Sequence, residues 1–116
     1  MSQNILEKIL TDVLHIYMSY EDSVIEELLV EPTLVKKEQV KKIDHLEVVI
    51  HSNDHNPPHF HVRSNDFKID AKFSIETGEY LSGEIGSKDL KRIKAYYKSP
   101  KTKIVMEKIW NKRTQP

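Results

Sequence analysis

Residues 67–75, which read FKIDAKFSI, decide the fold of this chain. Apolar side chains occupy every second position of this segment: Phe67, Ile69, Ala71, Phe73 and Ile75. Successive side chains of a strand point to opposite faces of a sheet, so this period of two predicts a strand with one apolar face. The sequence ETGE follows at residues 76–79 and predicts a hairpin turn in which Gly78 takes a positive φ.

Three further strands are predicted around this segment by the same alternation. In residues 46–51 and 59–63 every second position is again apolar, through Leu46, Val48, Ile50, Phe60 and Val62, and residues 80–85 place Leu81 and Ile85 on the apolar side. Ser82 and Glu84 then occupy the other side of the fourth strand. The pattern predicts an antiparallel meander of about four strands over residues 46–85.

Helical patterns precede the predicted sheet. Residues 3–20 carry an apolar stripe with helical spacing, and residues 22–30 predict a second short helix with Asp22 or Ser23 as its cap. Residues 34–44 fit either a strand or a lysine-rich helix. Residues 1–45 are therefore expected to form a largely helical extension.

Two helices are predicted after the sheet. Ser87 is the expected cap of the first, and Ser99-Pro100 separates it from the second, which carries Trp110. Trp110 is interpreted as a residue that packs between helices. We predict an α+β fold in which the helices cover one face of the sheet, within one domain formed by residues 1–116.

The composition excludes several classes of protein. The 116 residues include no cysteine, which rules out disulfides, thiolate metal sites and a cysteine nucleophile. No apolar run approaches the roughly 20 residues of a membrane span. The first residues, MSQNILEK, lack the basic start and apolar run of a signal peptide, so a cytoplasmic location is expected.

The net charge of zero conceals a strong asymmetry along the chain. Residues 1–85 carry 8 basic and 16 acidic side chains, whereas residues 86–116 carry 10 basic and 2 acidic ones. One interpretation is that the two parts neutralise each other within the fold. The other is that the basic end binds nucleic acid or an acidic partner. We favour the first, and expect acidic residues of the extension to lie near the C-terminal helices.

A histidine-rich segment, His55-Asn56-Pro57-Pro58-His59-Phe60-His61, leads into the second predicted strand. Five of the six histidines lie between residues 45 and 61. Two consecutive prolines keep the backbone extended, and the strand that follows places His59 and His61 on the same face. Clustered imidazoles form either an acid–base site or a metal site, and the spacing alone leaves both open.

The alternation predicts which other polar residues share that face. With Phe60 and Val62 turned towards the helices, the opposite face gathers titratable and charged groups from all four strands: His51, His59, His61, Arg63, Asp70, Lys72 and Glu84. His61 and Asp70 should be direct or diagonal neighbours, close enough for a hydrogen bond that selects one tautomer. The plainer interpretation is an ordinary polar strand surface, on which Lys72 is simply solvated.

The segment LEVVIHSNDHNPPHFHVRSNDFKIDAKFSIETGEYLSGEI, followed by the helix that contains IWNK, resembles a small bacterial family called domain of unknown function 4160. Its hallmark looks like H-x-P-P-H-x-H-V, then A-K-[FI]-x-I-E-T-G-E, then helices that end in tryptophan. The resemblance covers about residues 46–112, and seven residues match its characteristic positions: His55, Pro57, Pro58, His59, His61, Lys72 and Gly78. Residues 1–45 depart from the family's usual very short N-terminus.

The resemblance implies a function by association only. The family has no established activity, and its members look like partners of a second small family, domain of unknown function 2442, in suspected toxin–antitoxin pairs. We therefore expect a small cognate protein partner and no membrane association.

Three functions remain compatible with these residues. The leading hypothesis is a toxin-like protein that cleaves or binds RNA without a metal: His59 and His61 transfer protons, Lys72 or Arg63 stabilises the phosphorane, and Asp70 orients a histidine. The second is a divalent-metal site, zinc or another ion, with His55, His59 and His61 as ligands. The third is a binding module without catalysis. Lysine and arginine on the same face would repel a cation, which favours the first hypothesis.

Overall fold

The structure, a computed structural model, describes residues 5–34, 46–51 and 57–114. These residues form four helices and four strands in the order α1 (Ile5–Ser19), α2 (Asp22–Val30), β1 (Glu47–Val49), β2 (His59–Arg63), β3 (Asp70–Ser74), β4 (Tyr80–Glu84), α3 (Ser87–Lys98) and α4 (Thr102–Thr114). The predicted α+β class is confirmed. The ambiguous segment after residue 34 and the turn that contains His55 lie outside the described residues. None of the helices seen in the described ranges is long and apolar enough to span a membrane.

The four strands form one antiparallel sheet in the order β1-β2-β3-β4, as the meander predicts. Phe60 lies opposite Phe73 and Val62 opposite Ala71, and the rings of Phe60 and Phe73 stack with centroids 5.4 Å apart. With the exception of Phe67, each residue that the alternation assigned to the inner side of β1, β2 and β3 is buried: Leu46, Val48, Ile50, Phe60, Val62, Ile69, Ala71, Phe73 and Ile75.

Helices α1, α3 and α4 cover this apolar face. Leu10 and Leu14 of α1, Ile93 of α3 and Met106 of α4 belong to the same buried cluster as the strand residues. Tyr96 is fully buried in this cluster and donates a hydrogen bond from its hydroxyl to the Leu10 carbonyl, at 3.0 Å. Burial raises the pKa of Tyr96 well above its usual value, so the phenol stays protonated and keeps this bond.

Polar side chains of α1 bind the outer edge of β1. The Glu7 carboxylate accepts a hydrogen bond from the Ile50 amide at 3.0 Å, and the Thr11 hydroxyl accepts one from the Val48 amide at 3.1 Å. His15 Nε2 lies 2.8 Å from the Leu46 carbonyl, to which it donates. An open strand edge is otherwise a template for pairing with another chain, and here α1 covers it.

The charge asymmetry is neutralised in part between α2 and α3. Asp22 lies 2.7 Å from Arg92 and 4.0 Å from Lys88, and Glu26 lies 2.9 Å from Lys91. The hydrogen bond from Arg92 lowers the pKa of Asp22 below its usual value. The expectation that acidic residues of the extension approach the C-terminal helices is therefore confirmed for these two carboxylates.

Two residues of the meander depart from the alternation. Phe67 lies in the β2–β3 turn with a φ of 59° and is 64% exposed, instead of extending the apolar face of β3. Lys72 of β3 pairs with Ser82 of β4, and the next residue, Phe73, pairs with Tyr80, so Leu81 has no partner on β3 and is the extra residue of a bulge. Because the bulge turns it out of the alternation, Leu81 is 42% exposed. Gly78 does take the predicted positive φ, at 77°.

The helix caps also differ from the prediction. The N-cap of α2 is Glu21 and that of α3 is Gly86, and neither helix has a side-chain cap hydrogen bond. Asp22, proposed as a cap, instead binds Arg92 of α3. The ion pair between Asp22 of α2 and Arg92 of α3 thus takes the place of the predicted cap hydrogen bond at the start of α2.

We predict that Glu7→Ala lowers the free energy of unfolding by about 1–3 kcal/mol, because the buried Glu7 carboxylate bonds a strand amide from which water is excluded. Urea denaturation measures the loss. Lys8→Ala, at an exposed position of the same helix, should change stability by less than about 0.5 kcal/mol. Equal effects of the two substitutions would contradict a structural role for the Glu7 hydrogen bond.

Candidate functional site

Strand β2 carries the candidate site on the side opposite Phe60 and Val62. His59, His61 and Arg63 alternate with those two core residues. Val49 of β1 lies directly opposite His61 on one side, and Lys72 of β3 lies opposite it on the other. Because the register of both neighbouring strands is set by buried residues, the positions of His61 and Lys72 are set as well.

Three imidazole rings form a contiguous row. The ring of His61 lies between those of His51 and His59, with centroid separations of 4.6 Å and 5.2 Å, and both contacts are edge-to-face. His51 follows the end of β1, so the row crosses from one strand to the next. The parity argument that grouped these three histidines is confirmed by these ring contacts.

One hydrogen bond determines the tautomer of His59. Its Nδ1 lies 2.8 Å from the carbonyl oxygen of Pro57. A carbonyl can only accept, so Nδ1 carries the proton of this hydrogen bond and donates it. The neighbouring Pro58 carbonyl accepts a hydrogen bond from the Ile75 amide at 3.0 Å, which ties the proline segment to the sheet.

His59 is more enclosed than the sequence suggests. It is 7% exposed, and its ring lies 5.6 Å from that of Trp110 near the end of α4. The interpretation of His59 as a residue facing solvent is therefore wrong, whereas His51 and His61 are half-buried. Trp110 was interpreted only as a core residue, and the sequence contains no signal for its contact with His59, because the two are 51 positions apart.

The acidic residues expected at the site lie towards the other end of β2. Asp70 is directly opposite Arg63 and diagonal to His61, and Glu84 is opposite Asp70. Arg63 also lies 3.6 Å from Glu47 of β1. The sheet face is thus polarised: the histidines and Lys72 occupy one end, and Arg63 with three carboxylates occupies the other.

The metal hypothesis depends on a residue that the structure does not describe. In residues 5–34, 46–51 and 57–114, no group of three or more His, Cys, Asp or Glu side chains is arranged to hold a metal ion. His55, the first histidine of the H-x-x-x-H-x-H spacing, lies outside these ranges. A site that uses His55 with His59 and His61 stays a prediction.

Comparison with known families gives one match. A family model described as "Domain of unknown function (DUF4160)" matches residues 46–110, more than half of the chain, and the chain therefore belongs to this family. The matched region contains the whole sheet, α3 and most of α4, including Trp110, and leaves α1 and α2 outside. No curated protein and no solved structure matches this chain.

We predict that His59→Ala lowers the free energy of unfolding by about 1–3 kcal/mol, because it removes a buried ring that bonds Pro57 and contacts Trp110. His61→Ala removes a half-buried ring and should cost less, within about 1 kcal/mol. Urea denaturation of both variants gives the comparison. Equal losses would mean that the Trp110 contact does not stabilise the protein.

Proposed function

We propose that this member of the family is a toxin-like ribonuclease that works without a metal, with His59, His61 and Lys72 as its catalytic residues. The observation that supports this proposal is the pair of imidazoles 5.2 Å apart with Lys72 directly across the sheet from one of them. Two groups that transfer protons near neutral pH and one permanent cation are what phosphodiester cleavage by an internal nucleophile requires.

The reaction would proceed by attack of a ribose 2′-hydroxyl on the adjacent phosphorus. One histidine removes the hydroxyl proton, and the other donates a proton to the departing 5′-oxygen, giving a 2′,3′-cyclic phosphate and a 5′-hydroxyl. His59 is assigned the first role, and the bond from its Nδ1 to the Pro57 carbonyl orients its ring. Lys72 stabilises the charge that develops on the phosphorane oxygens.

Lys72 fits this role better than Arg63. Lys72 is opposite His61, whereas Arg63 lies two residues further along β2 and is engaged by Glu47 at 3.6 Å. The roles of His51 and Asp70 are auxiliary: His51 supports the His61 ring, and Asp70 is within diagonal reach of it. Glu84 lies beyond Asp70 and would shape the binding surface.

The basic C-terminal helices are the proposed site for the RNA backbone. Lys94, Lys98, Lys101, Lys108 and Lys112 are exposed. Such lysines neutralise phosphates and release counterions from the RNA, so the affinity for RNA falls as the salt concentration rises.

A toxin-like activity also requires an inhibitor, and a small cognate protein of the domain of unknown function 2442 family is the proposed partner. Co-expression of that partner should restore growth of cells that produce this protein.

The second candidate function is a metal-dependent one, favoured by the H-x-x-x-H-x-H spacing of His55, His59 and His61. The two mechanisms make opposite predictions for His55. Any one ligand of a three-histidine site is essential, whereas an acid–base mechanism that uses His59 and His61 tolerates the loss of His55.

We predict that the purified protein cleaves single-stranded RNA in the presence of EDTA and leaves cyclic phosphate ends. His61→Ala and Lys72→Ala should each reduce kcat by about 10²–10³-fold, because each removes a group that acts in the transition state. A 2′-deoxy nucleotide at the cleaved position should block the reaction. Mass spectrometry of the products and single-turnover kinetics give both results.

His15→Gln is the matched control, because His15 is not in the ring row and the Gln amide can still donate a hydrogen bond to the Leu46 carbonyl, which keeps the brace of the sheet edge. It should keep the wild-type kcat. Loss of activity with EDTA, together with equal losses in His55→Ala and His59→Ala, would replace the acid–base mechanism with the metal one. Full growth inhibition by His61→Ala and Lys72→Ala variants would favour the binding-module interpretation instead.

We predict that the double substitution Asp22→Asn, Glu26→Gln moves elution from heparin to higher salt, because it removes the two carboxylates that neutralise the charges of Lys88, Lys91 and Arg92. The slope of log affinity against log salt should steepen by about 1–2. Asp12→Asn with Glu21→Gln removes the same charge from exposed positions of the extension and is the control. An equal shift in both pairs would mean that net charge, rather than these ion pairs, controls polyanion binding.

A further inference from the structure

A small cavity lies on the histidine-bearing face, at the opposite end of β2 from His59. Its volume is about 190 Å³, and it is lined by Glu47, Arg63, Ser64, Asn65 and Phe67. This volume is below the 300–1,000 Å³ or so of a typical drug-sized site, and suits a single planar ring system.

Phe67 is presented at this cavity in a conformation that costs free energy. Its φ of 59° lies in the left-handed region, which bulky residues rarely adopt, and its side chain is 64% exposed. Burial therefore does not explain why an aromatic residue occupies this position. An exposed, rigidly placed ring is instead a suitable surface for stacking.

The turn that holds Phe67 is fixed by its own hydrogen bonds. The Phe67 amide donates to the Ser64 carbonyl at 3.1 Å, and the Ser64 amide donates to the Ile69 carbonyl at 2.8 Å. Asp66 accepts from the Ser64 hydroxyl at 2.7 Å and from the Lys68 amide at 3.1 Å. These bonds lower the pKa of Asp66 below its usual value.

The chemistry of the lining fits a base better than a phosphate. Among the described residues that line the cavity, Arg63 is the only cation. The Glu47 carboxylate lies 3.6 Å from it, and Asp70 lies directly across the strand pair from it. The Asn65 amide supplies a donor and an acceptor that can recognise the edge of a nucleobase, and the Glu47 carboxylate, which also faces Arg63, adds a further acceptor.

We propose that this cavity binds one unpaired nucleobase of the RNA, which stacks on Phe67 and presents its edge to Asn65 and Glu47. This inference rests on the proposed ribonuclease function and adds its substrate subsite. Arg63 and His61 are two residues apart on the same face, a separation of about 6.6 Å along a strand. A base held at the cavity would thus lie close to a phosphate held between the histidines and Lys72.

The test uses two RNA octamers with 2′-O-methyl riboses, which cannot be cleaved because they lack the nucleophile. One carries all its bases and the other is abasic. Phe67→Gly should weaken binding of the first by about 5–150-fold, the range that corresponds to loss of one stacked base, and leave binding of the second unchanged. Phe67→Tyr keeps an aromatic ring and should bind within about twofold of wild type. Fluorescence anisotropy gives the dissociation constants.

Thermal denaturation separates binding from folding. Gly adopts positive φ without strain, so Phe67→Gly should raise Tm by a few degrees, or at least not lower it, while it weakens binding. The proposal is overturned if Phe67→Gly binds the base-carrying octamer as tightly as wild type, if it loses affinity for both octamers equally, or if wild type binds neither.

The subsite and the ribonuclease function can fail separately. Cleavage of natural RNA by wild type, with the same kcat/KM in Phe67→Gly, would remove the subsite and keep the function. Phe67-dependent binding of the base-carrying octamer by a wild-type protein that cleaves no RNA would keep the subsite and remove the function.

Discussion

The geometry of the site depends on the row of hydrogen bonds between α1 and the outer edge of β1. The three side chains that bind the edge are spaced four residues apart along α1, which corresponds to about 6 Å: Glu7, Thr11 and His15. Their backbone partners on the strand, residues 50, 48 and 46, are spaced two residues apart, which corresponds to about 6.6 Å. The two spacings match closely enough for all three bonds to form. Because β1 has only three residues, its own ladder with β2 is short, and the helix supplies the bonds that an additional strand would otherwise provide.

This edge bears directly on the histidines. His51 follows β1, and its ring lies against His61, while His59 at the start of β2 lies against Trp110. The row of imidazoles is thus held at one end by a strand that α1 braces and at the other by the last turns of α4. The family match begins at Leu46, so in this chain a helix outside the matched region supports a site within it. The same extension carries the carboxylates that pair with α3, so its effect on the molecule is both structural and electrostatic.

The sequence predicted the features that depend on local alternation, and missed those that depend on distant contacts. The faces of β2 and β3 followed from a period of two, and the grouping of His51, His59 and His61 followed from those faces. The burial of His59 could not be predicted, because it depends on Trp110, which contacts His59 only when α4 has packed against the sheet.

Phe67 continues the apolar alternation in the sequence, but the hydrogen bonds of Ser64 and Asp66 turn the chain before Phe67 can join β3. The residues Ser64-Asn65-Asp66 are typical of a turn, and this signal, weighed against the alternation, places Phe67 outside the strand.

The polarity of the sheet face gives a direction to any ligand that lies along β2. At one end lie three imidazoles and Lys72, which can donate hydrogen bonds to an anion. At the other end Glu47 and Asp70 flank Arg63, Glu84 lies beyond Asp70, and the three carboxylates repel an anion. A uniformly anionic ligand would match only the first end, and an apolar peptide would match neither. A nucleotide carries its charge on the phosphate and leaves the base neutral, polar at its edge and flat on its faces. If the phosphate lies beside His61 and Lys72, the base falls towards the carboxylates and Phe67, where amide and carboxylate acceptors are favourable and a second phosphate is not. The charge gradient along one strand is thus a physical reason to expect a ligand in which charged and neutral groups alternate.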